Sequence, residues 1–167
     1  GEWGTEPTRI AETEDNYFRV HQSYQDKYRV SATLWTWRTA CGDPHLSASP
    51  PVGVDPSIWG FYEVDCPSNR TVRYREEFAD LMRRPLLRAA PGRIRSIAWD
   101  YENASFSASG HSAVVGQELE LFIHKPVDTG EFGAAGLENF EIKKDLGPGQ
   151  VWNATATASD WSLELEF

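Results

Sequence analysis

The sequence predicts an α/β segment followed by a small antiparallel β-sandwich. Two observations lead there. Apolar residues recur at helical spacing and then in a strand over the first half of the chain, and after Ala90-Pro91-Gly92 the pattern changes to strict alternation. Several short alternating stretches joined by Gly, Pro and Asn turns are the mark of a sandwich. The boundary is set at Gly92, giving two domains, 1–91 and 92–167.

Taken in order, Thr13-Glu14-Asp15-Asn16 reads as a helix start, a capping threonine with acids at the positive end of the helix dipole. The helix runs to about Tyr28, with Tyr17, Val20, Tyr24 and Tyr28 on one face as packing residues. Val30 to Trp37 then alternates as a strand. Val30, Ala32 and Leu34 fall on one side, and Ser31, Thr33, Trp35 and Trp37 on the other. Arg38 to Asn69 is punctuated by Gly42-Asp43-Pro44, Ser49-Pro50-Pro51, Pro56-Ser57 and Pro67-Ser68, and is read as a long loop of the kind that tends to be functional. A second helix is expected from about Tyr74 to Arg83, stopped by Pro85.

Beyond Gly92, strands are expected around Arg93 to Asp100, Ala104 to Ser109, Phe140 to Lys143 and Val151 to Thr157. The alternation is strongest in two more. Leu119, Leu121 and Ile123 alternate with Glu118, Glu120 and Phe122, and Trp161, Leu163, Leu165 and Phe167 alternate with Ser162, Glu164 and Glu166.

Composition narrows the function. A net charge of −9, with acids and bases mixed along the chain, argues against a surface that tracks phosphates, so nucleic acid is not an expected partner. The two cysteines, Cys41 and Cys66, flank a loop with little secondary-structure potential. One disulfide between them is expected, worth roughly 3–4 kcal/mol in the chain-entropy picture. It would place the protein in an oxidising compartment, secreted or extracellular. Asn69, Asn103 and Asn153 each begin an Asn-X-Ser/Thr sequon. Seven tryptophans in so short a chain leave two readings open, burial of large apolar area or flat faces on which sugar rings stack.

The motifs and their order resemble the endoglycoceramidase branch of glycoside hydrolase family 5. Gly1-Glu2-Trp3-Gly4 matches the end of the seventh barrel strand and Leu34-Trp35-Thr36-Trp37-Arg38 the eighth. Cys41-Gly42-Asp43-Pro44-His45 follows, and Arg84-Pro85-Leu86-Leu87-Arg88-Ala89-Ala90-Pro91-Gly92-Arg93 leads into the sandwich, with Ile123-His124-Lys125-Pro126 as a weaker match inside it. The resemblance implies that residues 1–91 are the carboxy-terminal part of a (β/α)8 barrel, strands seven and eight with their helices. A whole barrel needs roughly 250 residues, and the chain has 167. It is therefore expected to be the carboxy-terminal portion of an enzyme whose amino-terminal barrel portion is a missing partner.

The implied enzyme cleaves the bond between the glycan and the ceramide of a glycosphingolipid, or of another glycolipid, with retention and with contact to a membrane surface. In such an enzyme one carboxylate attacks the anomeric carbon while a second, about 5–5.5 Å away, protonates the leaving oxygen. Glu2 takes the first role, and the acid/base lies on a strand that this chain lacks. Trp35 is the expected platform under the sugar, with Trp37 and Trp3 as further substrate contacts. Asp43 and His45 read as a turn closed by its own Asp side chain, or as contacts at the barrel mouth.

No cofactor or metal is expected. His21, His111 and His124 show no ligand spacing, and there is neither a Gly-X-Ser-X-Gly elbow nor a phosphate-cradling loop. The alternative is a sandwich without catalysis of its own. It would either bind glycan or glycolipid through Trp99, Trp152 or Trp161, or act as a structural cap.

Overall fold

The computed structural model describes residues 2–3, 15–34, 61–65, 68, 70–124, 132–146 and 149–167. The chain divides into two compact units, one of residues 1–25 and 30–82, the other of residues 26–29 and 83–167.

In the first unit β1 (Glu2–Trp3) pairs with β2 (Thr33–Leu34), and the pair is parallel. Parallel neighbours cannot be joined by a tight turn, and the connection contains helix α1 (Asp15–Tyr28). The expected cap at Thr13 lies outside the described residues. Of the stripe that periodicity suggested, Tyr17 packs on the Phe18 cluster, but the other three members do not form the buried face of α1. Phe18 and Gln22, one turn apart, are the buried residues, while Val20, Tyr24 and Tyr28 are 42%, 53% and 60% exposed. Gln22 hides the true face from a hydrophobicity reading because it is polar. Its burial is compensated by Nε2, which donates to the Leu81 carbonyl at 3.0 Å and to Met82 Sδ at 3.3 Å. Phe18 packs with Phe61 and Ala79, and Leu34, Tyr62, Leu81 and Met82 close round them.

The long loop expected from Arg38 to Asn69 is interrupted by a strand. β3 (Tyr62–Asp65) pairs antiparallel with β4 (Arg70–Tyr74). The pairing is supported by cross-strand contacts, the Tyr62 and Tyr74 rings 5.1 Å apart and Arg73 bonded to Glu63 at 2.5 Å. Tyr74 is thereby taken into a strand, and the expected second helix shrinks to α2 (Glu76–Asp80), ending in a tight turn at Met82.

The second unit holds two four-stranded antiparallel sheets. One is ordered β10 (Leu137–Asp145), β11 (Gln150–Ala156), β8 (Glu118–Ile123), β5 (Leu86–Ala89). The other is ordered β6 (Arg93–Asp100), β7 (Ser105–His111), β12 (Trp161–Glu166), β9 (Phe132–Ala135). The six strands expected after Gly92 are present. β9 was not foreseen, and neither was β5, which lies ahead of Gly92 and pairs Leu86 with Phe122 and Leu87 with Leu121. The sheets therefore begin before the boundary drawn from periodicity, because Leu86-Leu87 is too short a run to reveal alternation.

Alternation carries the core. Leu119, Leu121 and Ile123 of β8, Phe106 and Ala108 of β7, and Trp161, Leu163 and Leu165 of β12 are buried together with Trp152, Ala154 and Ala156 of β11. Phe167 departs from this set. It lies past the end of β12, exposed, with its ring set edge-on to Trp99 at 5.6 Å.

Trp161 faces Gly110 across the β12–β7 ladder. A Cβ at Gly110 would lie 2.4 Å from the indole, so the ring occupies the space that any other residue would need. Its Nε1 donates to the Pro91 carbonyl at 2.8 Å, holding the link that leads from β5 in one sheet to β6 in the other. Gly110→Ala is expected to destabilise the unit by about 1–3 kcal/mol through overpacking. Trp161→Phe should cost a similar ~1–3 kcal/mol by stranding that carbonyl. Both would be read as a lower urea midpoint with an unchanged slope.

Also within this unit, Arg84 makes an ion pair with Asp26, the two side chains being 8% and 12% exposed. Arg29 Nη1 donates to the Ile94 carbonyl. Removing one partner of a buried pair leaves the other charge uncompensated. Asp26→Ala is accordingly expected to cost about 3–5 kcal/mol, whereas an exposed pair such as Arg95 with Asp160 should be nearly silent on removal. Chemical denaturation of the two variants makes the comparison.

Candidate functional site

Of the site residues expected from sequence, Glu2 and Trp3 form one strand of the parallel pair. Strands that run in the same direction bring their carboxy-terminal ends out at the same side. Glu2 is the register partner of Thr33, and Trp3 that of Leu34. Thr33 has the strand parity of Trp35 and Trp37, which follow β2 directly in sequence. Trp35, Trp37, Cys41, Asp43, His45 and Cys66 lie outside the described residues, and so does the expected disulfide. The backbone thus brings Glu2 beside Thr33, two residues ahead of Trp35 in the sequence. Leu34 packs on the Phe18 cluster, but of the strand expected from Val30 to Trp37 the described part is Thr33–Leu34 alone: Val30 and Ala32, expected on the same apolar side, precede it and are exposed, Val30 by 56%.

The aromatic candidates of the sandwich are differently placed. Trp152 and Trp161 are core residues, their indole nitrogens committed to Gln150 Oε1 at 3.1 Å and to the Pro91 carbonyl. Trp99 is half-buried, with Tyr101 and Phe167 both edge-on to it. Sequence alternation had already put Trp161 inward, and the close approach of Gly110 explains how so large a ring is accommodated.

Among the described residues no three His, Cys, Asp or Glu side chains converge as metal ligands would. His21 lies against the Tyr17 ring, His111 Nδ1 is 2.9 Å from Ser112 Oγ, and His124 meets Phe122 edge-on. Of the sequons, Asn69 lies outside the described residues. Asn103 is exposed in a turn. Asn153 is buried with Nδ2 donating to Glu118, out of reach of a modifying enzyme once folded.

Sequence reasoning assigned Val20, Tyr24 and Tyr28 to packing inside this chain. Their exposure on one face of α1 makes them a surface that a further portion of protein could cover.

Comparison of the sequence with protein-family models and with curated proteins finds no match. The fold, however, is similar to part of several solved glycosidases. The structure of an endogalactoceramidase superposes with a TM-score of 0.70 at 22% identity, covering 99% of this chain and 32% of that one. Endo-glycoceramidase II from Rhodococcus sp. matches with a TM-score of 0.58 at 12% identity, covering 99% of this chain and 32% of that one. Cryptococcus neoformans sterylglucosidase 1 gives 0.54 at 10% identity, with 96% and 25% covered. The chain spans about a third of the length of the first of these, and nearly all of it takes part in the likeness. The family resemblance drawn from motifs is thus met by a likeness of fold along the chain.

One titrating group outside the site stands out. Asp100 ends β6, and its carboxyl is held below the usual carboxylate range, first by Asn103 Nδ2 at 2.8 Å and then by the amides of Asn103 at 3.1 Å and Glu102 at 2.9 Å. A lowered folded pKa means stability that is present above the unfolded value of ~3.9 and is lost as pH falls through the folded one. Asp100→Ala is therefore expected to lower the denaturant midpoint at neutral pH, with the gap from the parent closing in strong acid. A gap that stays constant with pH would contradict the assignment.

Proposed function

We propose that this chain is the carboxy-terminal portion of a retaining glycoside hydrolase of the endoglycoceramidase kind, which cleaves between the glycan and the lipid of a glycosphingolipid or a related glycolipid. The observation that carries this reading is the parallel pairing of Glu2 with Thr33, set in a fold that matches glycolipid-cleaving glycosidases over nearly its whole length. In a (β/α)8 barrel the catalytic groups sit at the carboxy-terminal ends of the strands, and in this reading β1 and β2 are the seventh and eighth of them.

Glu2 is the nucleophile. Its carboxylate attacks the anomeric carbon and forms a glycosyl-enzyme intermediate, while an acid/base held by the upstream portion protonates the lipid-side oxygen and then deprotonates the attacking water. Trp35 lies under the sugar at the cleavage point, with Trp37 and Trp3 beside it. Two carboxylates suffice for this chemistry, and it calls on no cofactor. The exposed stripe Val20, Tyr24 and Tyr28 is the face of α1 that the upstream barrel portion covers. A Cys41–Cys66 bond fits a protein that works outside the cell. In this reading the sandwich does not stack sugars through Trp152 or Trp161, because both are spent on its core.

The test is reconstitution. The chain alone should release no ceramide from a fluorescent glycosphingolipid, whereas the chain mixed with a separately produced upstream barrel portion should. Glu2→Gln in the mixture is expected to lower the rate by orders of magnitude. A folded mixture that is inactive, or one indifferent to Glu2→Gln, would remove the nucleophile from this assignment.

A further inference from the structure

The turn between β7 and β8 is built against the usual chemistry of turns. Its crest is Val114-Val115, where Gly, Pro, Asn, Asp or Ser would be expected. The two side chains are 65% and 69% exposed, so they add little to the core.

The backbone beneath them is nonetheless tied down by several hydrogen bonds. Gln117 N donates to the Val114 carbonyl at 3.0 Å, and Gly116, at φ 92°, supplies the left-handed conformation that such a turn needs at its third position. Gln117 Oε1 accepts from Val114 N at 3.0 Å and Gly92 N at 3.1 Å. Ala113 N donates to the Ser159 carbonyl, Gly116 N to the Ala156 carbonyl, and Ala156 N to the Gln117 carbonyl, at 3.0, 2.9 and 2.8 Å. Two adjacent apolar side chains are thus held out on a rigid base.

We propose that this turn is an anchor that inserts Val114 and Val115 into the headgroup region of a lipid surface. Size argues against a protein occupant. The two valines present about 200 Å² together, against roughly 800 Å² on each side of a stable protein interface. A tip of this form suits a soft surface that closes round it. Charge agrees locally. Arg93, exposed and without an ion-pair partner among the described residues, is the ladder partner of His111 at the foot of the turn, so a cation stands behind the apolar crest. Arg95 is paired with Asp160 and contributes no net charge there. The choice of a lipid over another apolar surface rests on the proposed function, since a glycolipid substrate resides in such a surface; the geometry of the turn does not.

Cosedimentation of the 167-residue chain with glycolipid-free vesicles tests the anchor separately from catalysis. Vesicles of phosphatidylcholine, alone or with a minority of phosphatidylserine, should carry the chain down, and phosphatidylserine should increase the bound fraction. Val114→Ser with Val115→Ser is expected to weaken binding to both by at least tenfold while leaving the melting midpoint unchanged. Arg93→Gln should remove only the increment due to phosphatidylserine.

No cosedimentation of the parent chain, or equal binding by the double variant, would overturn the proposal. A fall in sedimenting mass of the double variant without vesicles would overturn it too, in favour of contact between copies. Loss of the anchor would leave Glu2-dependent hydrolysis of a soluble short-chain glycolipid in the reconstituted mixture intact. Loss of that hydrolysis would leave vesicle binding intact, so failure of one reading is distinguishable from failure of the other.

Discussion

The indole of Trp161 is the point on which the sandwich depends. It fills the space over Gly110 in the neighbouring strand and spends its only hydrogen on the Pro91 carbonyl. Pro91 belongs to the short link between β5 and β6, and those strands lie in different sheets. One side chain therefore fixes the spacing within one sheet and the passage of the chain between the two. Burial of a ring this size is a large apolar contribution, and the satisfied N–H removes the penalty that would otherwise accompany it. The same commitment takes Trp161 out of reach of any ligand. The pressure to build a core and the opportunity to stack on sugars compete for the same residue type, and here the core has it.

A second constraint governs the first unit. The β1–β2 pair is parallel and only two residues long, so its hydrogen bonds are few. Its position depends on what packs around it, with Leu34 set against Phe18, Phe61 and Ala79. Gln22 is the unusual member of this region, a polar side chain buried where an apolar one would be simpler. Its amide is matched to a backbone carbonyl and a thioether. A matched polar group adds specificity of arrangement, since a shifted helix would leave it unsatisfied. Val20, Tyr24 and Tyr28, on the other side of α1, are partly exposed.

Catalysis and surface binding would draw on different parts of the chain. The catalytic reading draws on backbone register and on the likeness of fold, and its chemistry requires a second carboxylate from elsewhere. The lipid-surface reading draws on two exposed side chains and on a turn tied by hydrogen bonds at Ala113, Val114, Gly116 and Gln117. They converge on one physical problem. A substrate whose sugar is in water and whose tail is in a membrane has to be met at the boundary between them.

The sequence alone determined where alternation was strong. Leu119, Leu121 and Ile123, and Trp161, Leu163 and Leu165, announce strands with a buried side because period two has no other economical meaning over six residues. That Glu2-Trp3 and Leu34 belong to strands was legible from motif and order, ahead of any geometry. Tertiary structure decided the rest. β5 and β3 are too short for a pattern, and they exist because β8 and β4 offer them partners. The buried face of α1 could not be read because Gln22 interrupts it, and burial of an amide depends on acceptors that lie about sixty residues away in the chain. Whether a tryptophan is core or platform is likewise set by what faces it across a ladder, and no local pattern records that Gly110 stands opposite Trp161.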